Sequence, residues 1–506
     1  MWLTACGLAW WSPHRGAYCD LGADFESTSV RPYCDSTGRF ISGSSKERIL
    51  SVLTSSYQDY QLVYIVTTNT HTPPTTPPAR ICWSRTRAQG PRLSAYIMAT
   101  QAGDEDKKIS ITPLLKRLWH ESPTTKPTAD EIAAALALIF TNSLSEVQTG
   151  ALLTCLHFTD QDRQAEVLAK CSKAMRDYAT GIDVKGLQEL INQRGRKEGG
   201  YHGGLCDIVG TGGDSHNTFN ISTTSSILAS ALLMIAKHGN KASTSRSGSA
   251  DLLSCAPPKP PVITAIAPNT IHEIYSKTNY AFLFAPIFHP GARHAASIRR
   301  QLGWRTIFNL LGPLANPLHD LIEARVLGVA RKEIGPDFAE SLKQSGCKKG
   351  MIICGDEELD ELSCAGPTHC WRIVEDASTG EANINYFTVT PADFGLPEHP
   401  LSEVSPGQSP EQNAQILMKI LMGEVPPDDP ILHFVYINTA ALFVVSGICD
   451  ADTSNMGEGD DGNVIKEVGP GGGRWKEGVR RAKWAISSGA AYSEWQKFVE
   501  VTNSVA

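Results

Sequence analysis

The 506-residue chain contains no CxxC pair, and its 13 cysteines are odd in number and scattered. That argues against a disulfide framework and against the commonest zinc sites. Cys364 and Cys370 enclose His369, but the spacing fits no common zinc pattern. Long hydrophobic runs are missing too. The longest apolar stretch, Ile227 to Ala236, falls far short of the ~18 residues that cross a bilayer. There is no basic excess: 46 Lys and Arg face 53 Asp and Glu, a net charge of −7. The composition therefore lacks the clustered basic face of a duplex-DNA binder. GxxxxGK is absent, and the Gly-rich turn 210–214 does not fit GxGxxG, so that turn is neither a P-loop nor a dinucleotide fingerprint. What is there is ordinary globular composition, 41% hydrophobic with 43 glycines, in a chain long enough for roughly two to four domains.

Residues 1–97 differ from the rest. They carry nine basic residues, one of them lysine, against six acidic ones, which leaves −10 for residues 98–506. Beyond the short apolar stretch Tyr60–Val66 they show no sustained period. They end in a Pro/Thr-rich tract, 71–78, of extended-linker composition. The start has neither a basic n-region nor an A-x-A site, so it makes a poor signal peptide. Three readings stay open: a disordered or targeting extension, a small appended module, and an over-extended start with translation from Met98. Met98–Ala99–Thr100, an acidic stretch and then a clean helical pattern favour the third.

Residues 110–193 read as helices. Leu114, Leu115, Leu118 and Trp119 share one helical face. Thr128 and Asp130 precede a capped apolar helix, Ser145 opens the next, and Thr159–Asp160 is expected to start another that runs to about Tyr178. The Gly-rich segment 194–204 marks a boundary. After it the period changes. Leu205–Val209 is a short buried-strand pattern, and Ser222 onward reads as a helix. Further strands are expected at Met351–Cys354 and Ile384–Phe387. Helices are expected near Glu411–Met422, Ile431–Val445 and Trp475–Ser488. Such alternation implies an α/β layer around a mostly parallel sheet. Pro257–Pro261 reads as a surface insert, and the Gly/Asp-rich stretch 456–473 as a flexible loop.

Two segments have the makings of anion cradles. Gly210–Thr211–Gly212–Gly213–Asp214 lies between a strand and a helix, where glycines let main-chain N–H groups approach a phosphate. Asn220–Thr224 adds hydroxyls at the helix N-terminus. The run Lys237–Asp251 gathers three basic side chains and five hydroxyls within fifteen residues, a mixture suited to a polyphosphate. Asp360–Glu361 stands in a cluster of carboxylates. Alone that reads as a solvated turn, but beside two phosphate cradles it suits Mg²⁺, which arrives with pyrophosphate and takes carboxylate oxygens. Four arginines between Arg293 and Arg305 are either a charged surface or a fork for a carboxylate. Ile307–Pro317 is turn-rich, with no obvious chemistry of its own.

Gly210–Asp214, Lys237–Asp251, Arg299–Pro317 and Asp360–Glu361 stand in the order and approximate spacing of the anthranilate phosphoribosyltransferases. Asn279–Pro286 resembles the fungal-type members. The resemblance covers about residues 107–500. It implies the nucleoside phosphorylase/phosphoribosyltransferase superfold, with a small all-helical N-terminal domain (98–200, and a returning helical segment near 268–305) and a larger α/β domain (201–506). It implies transfer of phosphoribose from phosphoribosyl pyrophosphate to anthranilate in tryptophan biosynthesis, with Mg²⁺, by a cytoplasmic homodimer with no nucleic-acid or membrane partner.

Carried over by residue, Gly210, Gly213, Asp214, Thr218, Asn220, Ser222, Thr223, Lys237, His238, Gly239, Asn240, Ser243, Thr244, Ser245 and Ser249 would contact phosphoribosyl pyrophosphate. Ser222, Asp360 and Glu361 would hold Mg²⁺. Gly210, Asn240 and Arg299 would face anthranilate, with His238 and His289 lining its path. Catalysis would rest on Lys237 for leaving-group charge, His238 for orientation and Arg299 for the carboxylate. Ser215–His216–Asn217 departs from the small residues the family often has there. Two other functions fit parts of the pattern. A pyrimidine nucleoside phosphorylase of the same superfold shares the Lys–His–Gly–Asn-type loop but has no use for Asp360–Glu361. A non-catalytic nucleic-acid-binding relative would need a basic surface.

Overall fold

The computed structural model describes residues 49–57, 60–67, 108–119, 126–242, 247–376, 378–405 and 409–506. The Pro/Thr tract and the stretch after Met98 lie outside them. The chain divides into two units, 1–100 and 101–506. In the first, β1 (Ile49–Tyr57) and β2 (Tyr60–Thr67) pair antiparallel, with Tyr57 opposite Tyr60. The sequence had shown regularity only in the second of these strands.

The second unit opens with five helices: α1 (Thr112–Trp119), α2 (Ala129–Phe140), α3 (Glu146–Phe158), α4 (Ala165–Asp177) and α5 (Val184–Arg194). A reciprocal cap starts α2, as expected. Thr128 Oγ1 accepts from the Glu131 N–H at 3.2 Å, and the Glu131 carboxylate accepts from the Thr128 N–H at 2.8 Å. Ser145 caps α3 by accepting from Gln148 N–H. The helix expected from Thr159–Asp160 begins later, at Ala165. Thr159 instead closes α3, its hydroxyl donating to the Cys155 carbonyl at 2.7 Å, and Asp160 turns left-handed at φ 55°. A right-handed α-helix cannot run through a residue in that conformation.

Seven strands then form one sheet in the order β5-β4-β3-β6-β7-β8-β9. They are β3 (Leu205–Gly210), β4 (Met234–Gly239), β5 (Tyr280–Phe284), β6 (Ile322–Gly328), β7 (Lys349–Gly355), β8 (Thr368–Glu375) and β9 (Ala382–Val389). The five strands from β5 to β7 run parallel, and β8 and β9 add an antiparallel edge. The expected α/β fold with a mostly parallel sheet is therefore present. Helices α6 (Ile221–Ala229), α7 (Ser249–Ser254), α8 (Ile271–Lys277), α9 (Ala285–Phe288), α10 (Arg293–Leu302), α11 (Ile307–Leu314) and α12 (Gly335–Gln344) alternate with the strands. The chain closes with α13 (Pro410–Leu421), α14 (Pro430–Ser446), α15 (Trp475–Ser487) and α16 (Ala490–Ser504). Within 268–305 the chain is not uniformly helical. α10 packs on α2 and α3, whereas α8 packs on α5 and α16, and Tyr280–Phe284 is a sheet strand.

Helix α14 is buried on nearly every side, which is why it shows no amphipathic stripe. Its one amide, Asn438, ties the chain beside it at both ends. It accepts from Leu362 N–H at 3.0 Å and donates to the Leu362 carbonyl at 3.1 Å. The stretch 456–473, expected to be flexible, is fastened to α15. Arg480 Nη1 meets Asp460 at 3.0 Å, and Glu477 accepts from Ile465 N–H at 2.9 Å. Residues 257–260 are exposed, as expected of a surface insert.

Helices α14 and α15 approach closely because Gly478 has no side chain. A Cβ there would lie 2.8 Å from both Cβ and the carbonyl oxygen of Ala440. Gly478→Val should cost on the order of 1–3 kcal/mol of stability. A thermal melt checks this, and an unchanged Tm would show that the two helices separate freely.

Candidate active site

The strand order reverses between β3 and β6. From β3 the chain proceeds outward through β4 to β5, then returns to β6 on the other side. In an open parallel sheet such a reversal leaves a crevice at the carboxyl ends of the two strands. Gly210 ends β3 and Gly328 ends β6. Both are glycine for a steric reason. A Cβ on Gly210 would lie 2.2 Å from Asp360 Oδ2, and one on Gly328 would lie 1.6 Å from the Asp360 carbonyl oxygen. Asp360 therefore rests across both strand ends. Its carboxylate accepts from Gly212 N–H at 2.5 Å. The turn beyond passes through left-handed conformations at Gly212 (φ 67°) and Gly213 (φ 76°), which favour glycine.

The first turn of α6 faces this loop. Glu361 reaches it from the far side, accepting from Ser222 N–H at 3.3 Å and from the Thr218 hydroxyl at 3.4 Å. Thr223 donates to Ser249 Oγ at 2.8 Å, and Asn220 Nδ2 donates to the Ser247 carbonyl at 2.9 Å. These contacts draw the second cradle onto the first. Asp251 holds the two ends of the second cradle together by accepting from Ala242 N–H and Gly248 N–H at 2.8 and 3.0 Å. Ser243, Thr244 and Ser245 lie outside the described residues.

The result is a cleft of about 270 Å³. Gly210, Gly213, Asp214, Thr218, Asn220, Ser222, Thr223, Lys237, His238, Gly239, Asn240, Ser249, Asp360 and Glu361 all stand on its walls. His289 and Arg299 do not. Asp214, Asp360 and Glu361 crowd one end. Burial, then the neighbouring Asp360, pushes Asp214 up to about 8. Burial, then Asp360 and Asp214, holds Glu361 well above the usual carboxylate range. Among the described residues no three such groups already form a metal cage. This donor set fits a hard cation that takes one or two carboxylates and completes its shell from elsewhere. Lys237 is 1% exposed, and burial lowers it to about 8 against the pull of Asp207, Glu361 and Asp360.

On the other side of His238 the chemistry is neutral. His238 Nδ1 lies 3.0 Å from the Gly312 carbonyl, and His289 Nε2 lies 2.8 Å from that of Ala315. Their rings are 5.2 Å apart and edge-on. Burial holds His238 well below the ordinary imidazole value and His289 down to about 4. Arg299 has no carboxylate partner among the described residues. It donates to Asn309 Oδ1 at 3.3 Å and covers the Phe308 ring at 5.2 Å.

Comparison with known proteins agrees with this arrangement. Residues 202–492 match the model of the glycosyl transferase family α/β domain, and residues 112–179 that of the family's helical bundle domain. Anthranilate phosphoribosyltransferase of Schizosaccharomyces pombe is 38% identical over 73% of this chain and 91% of its own length. That of Saccharomyces cerevisiae is 34% identical over 71% and 87%. The structure of the Saccharomyces cerevisiae enzyme in complex with PRPP and Mg superposes with a TM-score of 0.62 at 30% identity, over 78% of this chain and 97% of that one. The chain belongs to the anthranilate phosphoribosyltransferase family.

Several residues of the site in this family member escaped the sequence reading. Gly328 ends a strand that was not foreseen. Asn413, on α13, donates to Asn220 Oδ1 at 3.2 Å. Arg305 was noticed only as one of four arginines. Its Nη1 donates to the Gly213 carbonyl at 2.8 Å, and a Cβ on Gly213 would meet it at 2.0 Å. His216, within the departure at Ser215–Asn217, lies 2.9 Å from the Glu357 carbonyl and so fastens the turn.

Gly328→Ala should displace Asp360 from the strand ends while leaving the hydrophobic core intact. The expected outcome is a folded protein with strongly reduced activity and weakened divalent-metal dependence. Circular dichroism beside a magnesium titration of the rate checks it, and an unchanged magnesium response would show that Asp360 has another support.

Proposed function

We propose that this chain transfers the phosphoribosyl group of phosphoribosyl pyrophosphate to the amine of anthranilate, releasing pyrophosphate, as a step of tryptophan biosynthesis. The observation that carries the reading is the meeting, in one cleft, of the Gly210–Asp214 turn, the Lys237–Ser249 loop and the pair Asp360–Glu361. The first two offer main-chain N–H groups, hydroxyls and an ammonium to a polyphosphate. The third offers carboxylates to the cation that accompanies it. The pyrimidine phosphorylase alternative leaves that pair without a task.

In the reaction the bond from the anomeric carbon to pyrophosphate breaks, the bond to the anthranilate nitrogen forms, and the amine gives up a proton. Negative charge grows on the leaving group. The Lys237 ammonium and the N–H groups of the Gly-rich turn face it, which is preorganised electrostatic stabilisation. Mg²⁺, held by Ser222, Asp360 and Glu361, supplies further charge neutralisation on the leaving oxygens when bound. Gly213, Asp214, Thr218, Asn220, Thr223, His238, Gly239 and Ser249 would fix the phosphoribosyl part, with Ser243, Thr244 and Ser245 adding hydroxyls. Gly210 and Asn240 would face anthranilate, and Arg299 would take its carboxylate with His289 beside the path. The amine is unprotonated near neutral pH, so positioning outweighs base catalysis. We take residues 98–200 as the small helical domain, residues 201–506 as the larger one, and 1–97 as an extension. The assembly would be a cytoplasmic homodimer joined through the helical part, where Val147 and Trp119 stand exposed.

The assay is loss of anthranilate fluorescence with phosphoribosyl pyrophosphate and Mg²⁺, beside thymidine phosphorolysis. Turnover of thymidine alone would overturn the reading. Arg299→Ala should raise the anthranilate KM by roughly 10- to 100-fold, the worth of a charged hydrogen bond, and leave that for phosphoribosyl pyrophosphate nearly unchanged. Asp360→Asn with Glu361→Gln should abolish metal-dependent activity. Because burial lowers Lys237 to about 8, it carries its charge below that pH and loses it above. The kcat/KM for phosphoribosyl pyrophosphate should accordingly fall as pH rises through that value, and a flat profile would remove the ammonium from substrate capture.

A further inference from the structure

The last four carbonyls of a helix have no partner within it, and they carry the negative end of its dipole. At the end of α11 and in the turn after it, four successive carbonyls meet donors from other elements, the first of them, Gly312, also accepting from Ala315 N–H at 3.4 Å. Gly312 faces His238 Nδ1 at 3.0 Å, Pro313 accepts from Arg325 Nη2 at 2.5 Å, Leu314 accepts from Arg176 Nη1 at 2.8 Å, and Ala315 faces His289 Nε2 at 2.8 Å. The donors come from β4, β6, α4 and the chain after α9. The next residue extends the pattern. Asn316 Nδ2 donates to Asp207 Oδ2 at 3.0 Å and to the Ala236 carbonyl at 2.9 Å, and Asp207 lies 3.4 Å from Arg325 Nη2. The segment 307–317 carries much of its chemistry in its main chain, with the Asn309 and Asn316 side chains adding to it.

This arrangement sets the state of the two imidazoles. A carbonyl only accepts, so His238 carries its proton on Nδ1 and His289 carries one on Nε2. His238 Nε2 is left bare, buried and without a partner. The charged and titratable groups that face His238 are His289, Lys237 and Arg325, and Arg176 faces His289. None of these is an acid, and only the carbonyls of Gly312, Ala315 and Met175 pull toward the imidazolium, against burial.

We propose that the Gly312–Asn316 turn positions the acceptor half of the site, and that Arg176 is a positioning residue which acts through the Leu314 carbonyl. This rests on the phosphoribosyl-transfer reading. Arg176 is not on the walls of the substrate cleft. It lines a separate cavity of about 520 Å³ with Lys170, Lys173 and His319. Its influence on anthranilate must therefore pass through the turn and the two histidines. Loss of its hydrogen bond frees the turn between two histidine caps, so His238 gains access to water and to a second proton.

The test compares wild type, Arg176→Gln and Arg176→Lys by steady-state kinetics in each substrate between about pH 5 and pH 8, where a released imidazole titrates. Arg176→Gln should raise the anthranilate KM about three- to ten-fold, the worth of one hydrogen bond, and leave the phosphoribosyl pyrophosphate KM within about two-fold. It should also move the acid limb of kcat/KM for anthranilate to higher pH. Anthranilate's own titration is common to all three proteins, so only the displacement between them counts. Arg176→Lys keeps the charge and one donor, and should show a smaller split in the same direction. A lower Tm with both KM values unchanged, or both moving together, overturns the proposal. If Arg176→Gln fails to fold, the split in Arg176→Lys decides, and its absence overturns the proposal equally. Wild type that consumes no anthranilate would refute the transfer reading and this inference with it, whereas active wild type with no split refutes the inference alone.

Discussion

Asp360 lies across the carboxyl ends of β3 and β6 because two side chains that would fill that space are missing. Gly210 makes room for its carboxylate and Gly328 for its main chain. The seat is then fixed from three directions. Gly212 N–H meets the carboxylate, Thr211 N–H donates to the Gly328 carbonyl at 3.0 Å, and Asn438 grips Leu362 two residues on. The phosphate turn, the metal-facing pair and the buried helix α14 thus share one point of attachment. If Asp360 moved, the turn would lose the bond that holds Gly212. Glu361 would lose its approach to α6, and the crevice between the strands would close or widen.

That seat concentrates negative charge where a polyphosphate is to bind, which is opposed to simple complementarity. The electrostatics are reconciled in layers. Burial, and after it the crowding of Asp214, Asp360 and Glu361, raises Asp214 and Glu361, so the protein holds them at a cost that a divalent cation would relieve. Lys237 is buried at the same cleft and would lose its charge more readily were these carboxylates absent. Lys241 on the cleft wall adds a second ammonium, and the remaining positive field comes from main-chain N–H groups and the α6 N-terminus, which add no net charge. An acidic chain therefore presents an anion site without a basic surface, and the site favours an anion that brings its own metal.

The sequence carried the phosphate half of the site in plain form. Glycines and hydroxyls recur there because close backbone approach leaves little choice of residue, and Gly210, Gly213, Thr218, Ser222, Thr223, Gly239 and Ser249 line the cleft. The strands were harder. In β4, Lys237 and His238 follow an apolar run and hid its strand character, and the helix read from Ser222 onward was given no end. In β6 the arginine at 325 obscured a buried strand, and the carbonyl of Pro313, the carboxylate of Asp207 and His319 Nδ1 make its burial tolerable. His289 came from family resemblance alone, and Arg299 was singled out by it from four arginines that could form a fork for a carboxylate. They stand off the cleft wall, on a segment whose periodicity says nothing of substrate. The end of α11 was illegible for a different reason: main-chain carbonyls leave no mark on residue choice except through distant donors such as Arg176.

Helix α11 also has something at its other end. Arg305, two residues before Ile307, donates to the Gly213 carbonyl, while the carbonyls at the far end orient His238 and His289. Eight helical residues span about 12 Å, so one short strut joins the phosphate turn to the acceptor histidines. The strut is stiff because Ile307, Phe308, Leu310, Leu311 and Leu314 are all buried. It packs on α3 and α4 of the helical bundle, yet both its ends are bonded to elements of the sheet. Any shift of the bundle would therefore move Arg305 and the carbonyl turn together. Binding at the phosphate turn and orientation of the acceptor amine are in this way coupled through a single rigid element, with no need for the two substrates to touch the same side chain.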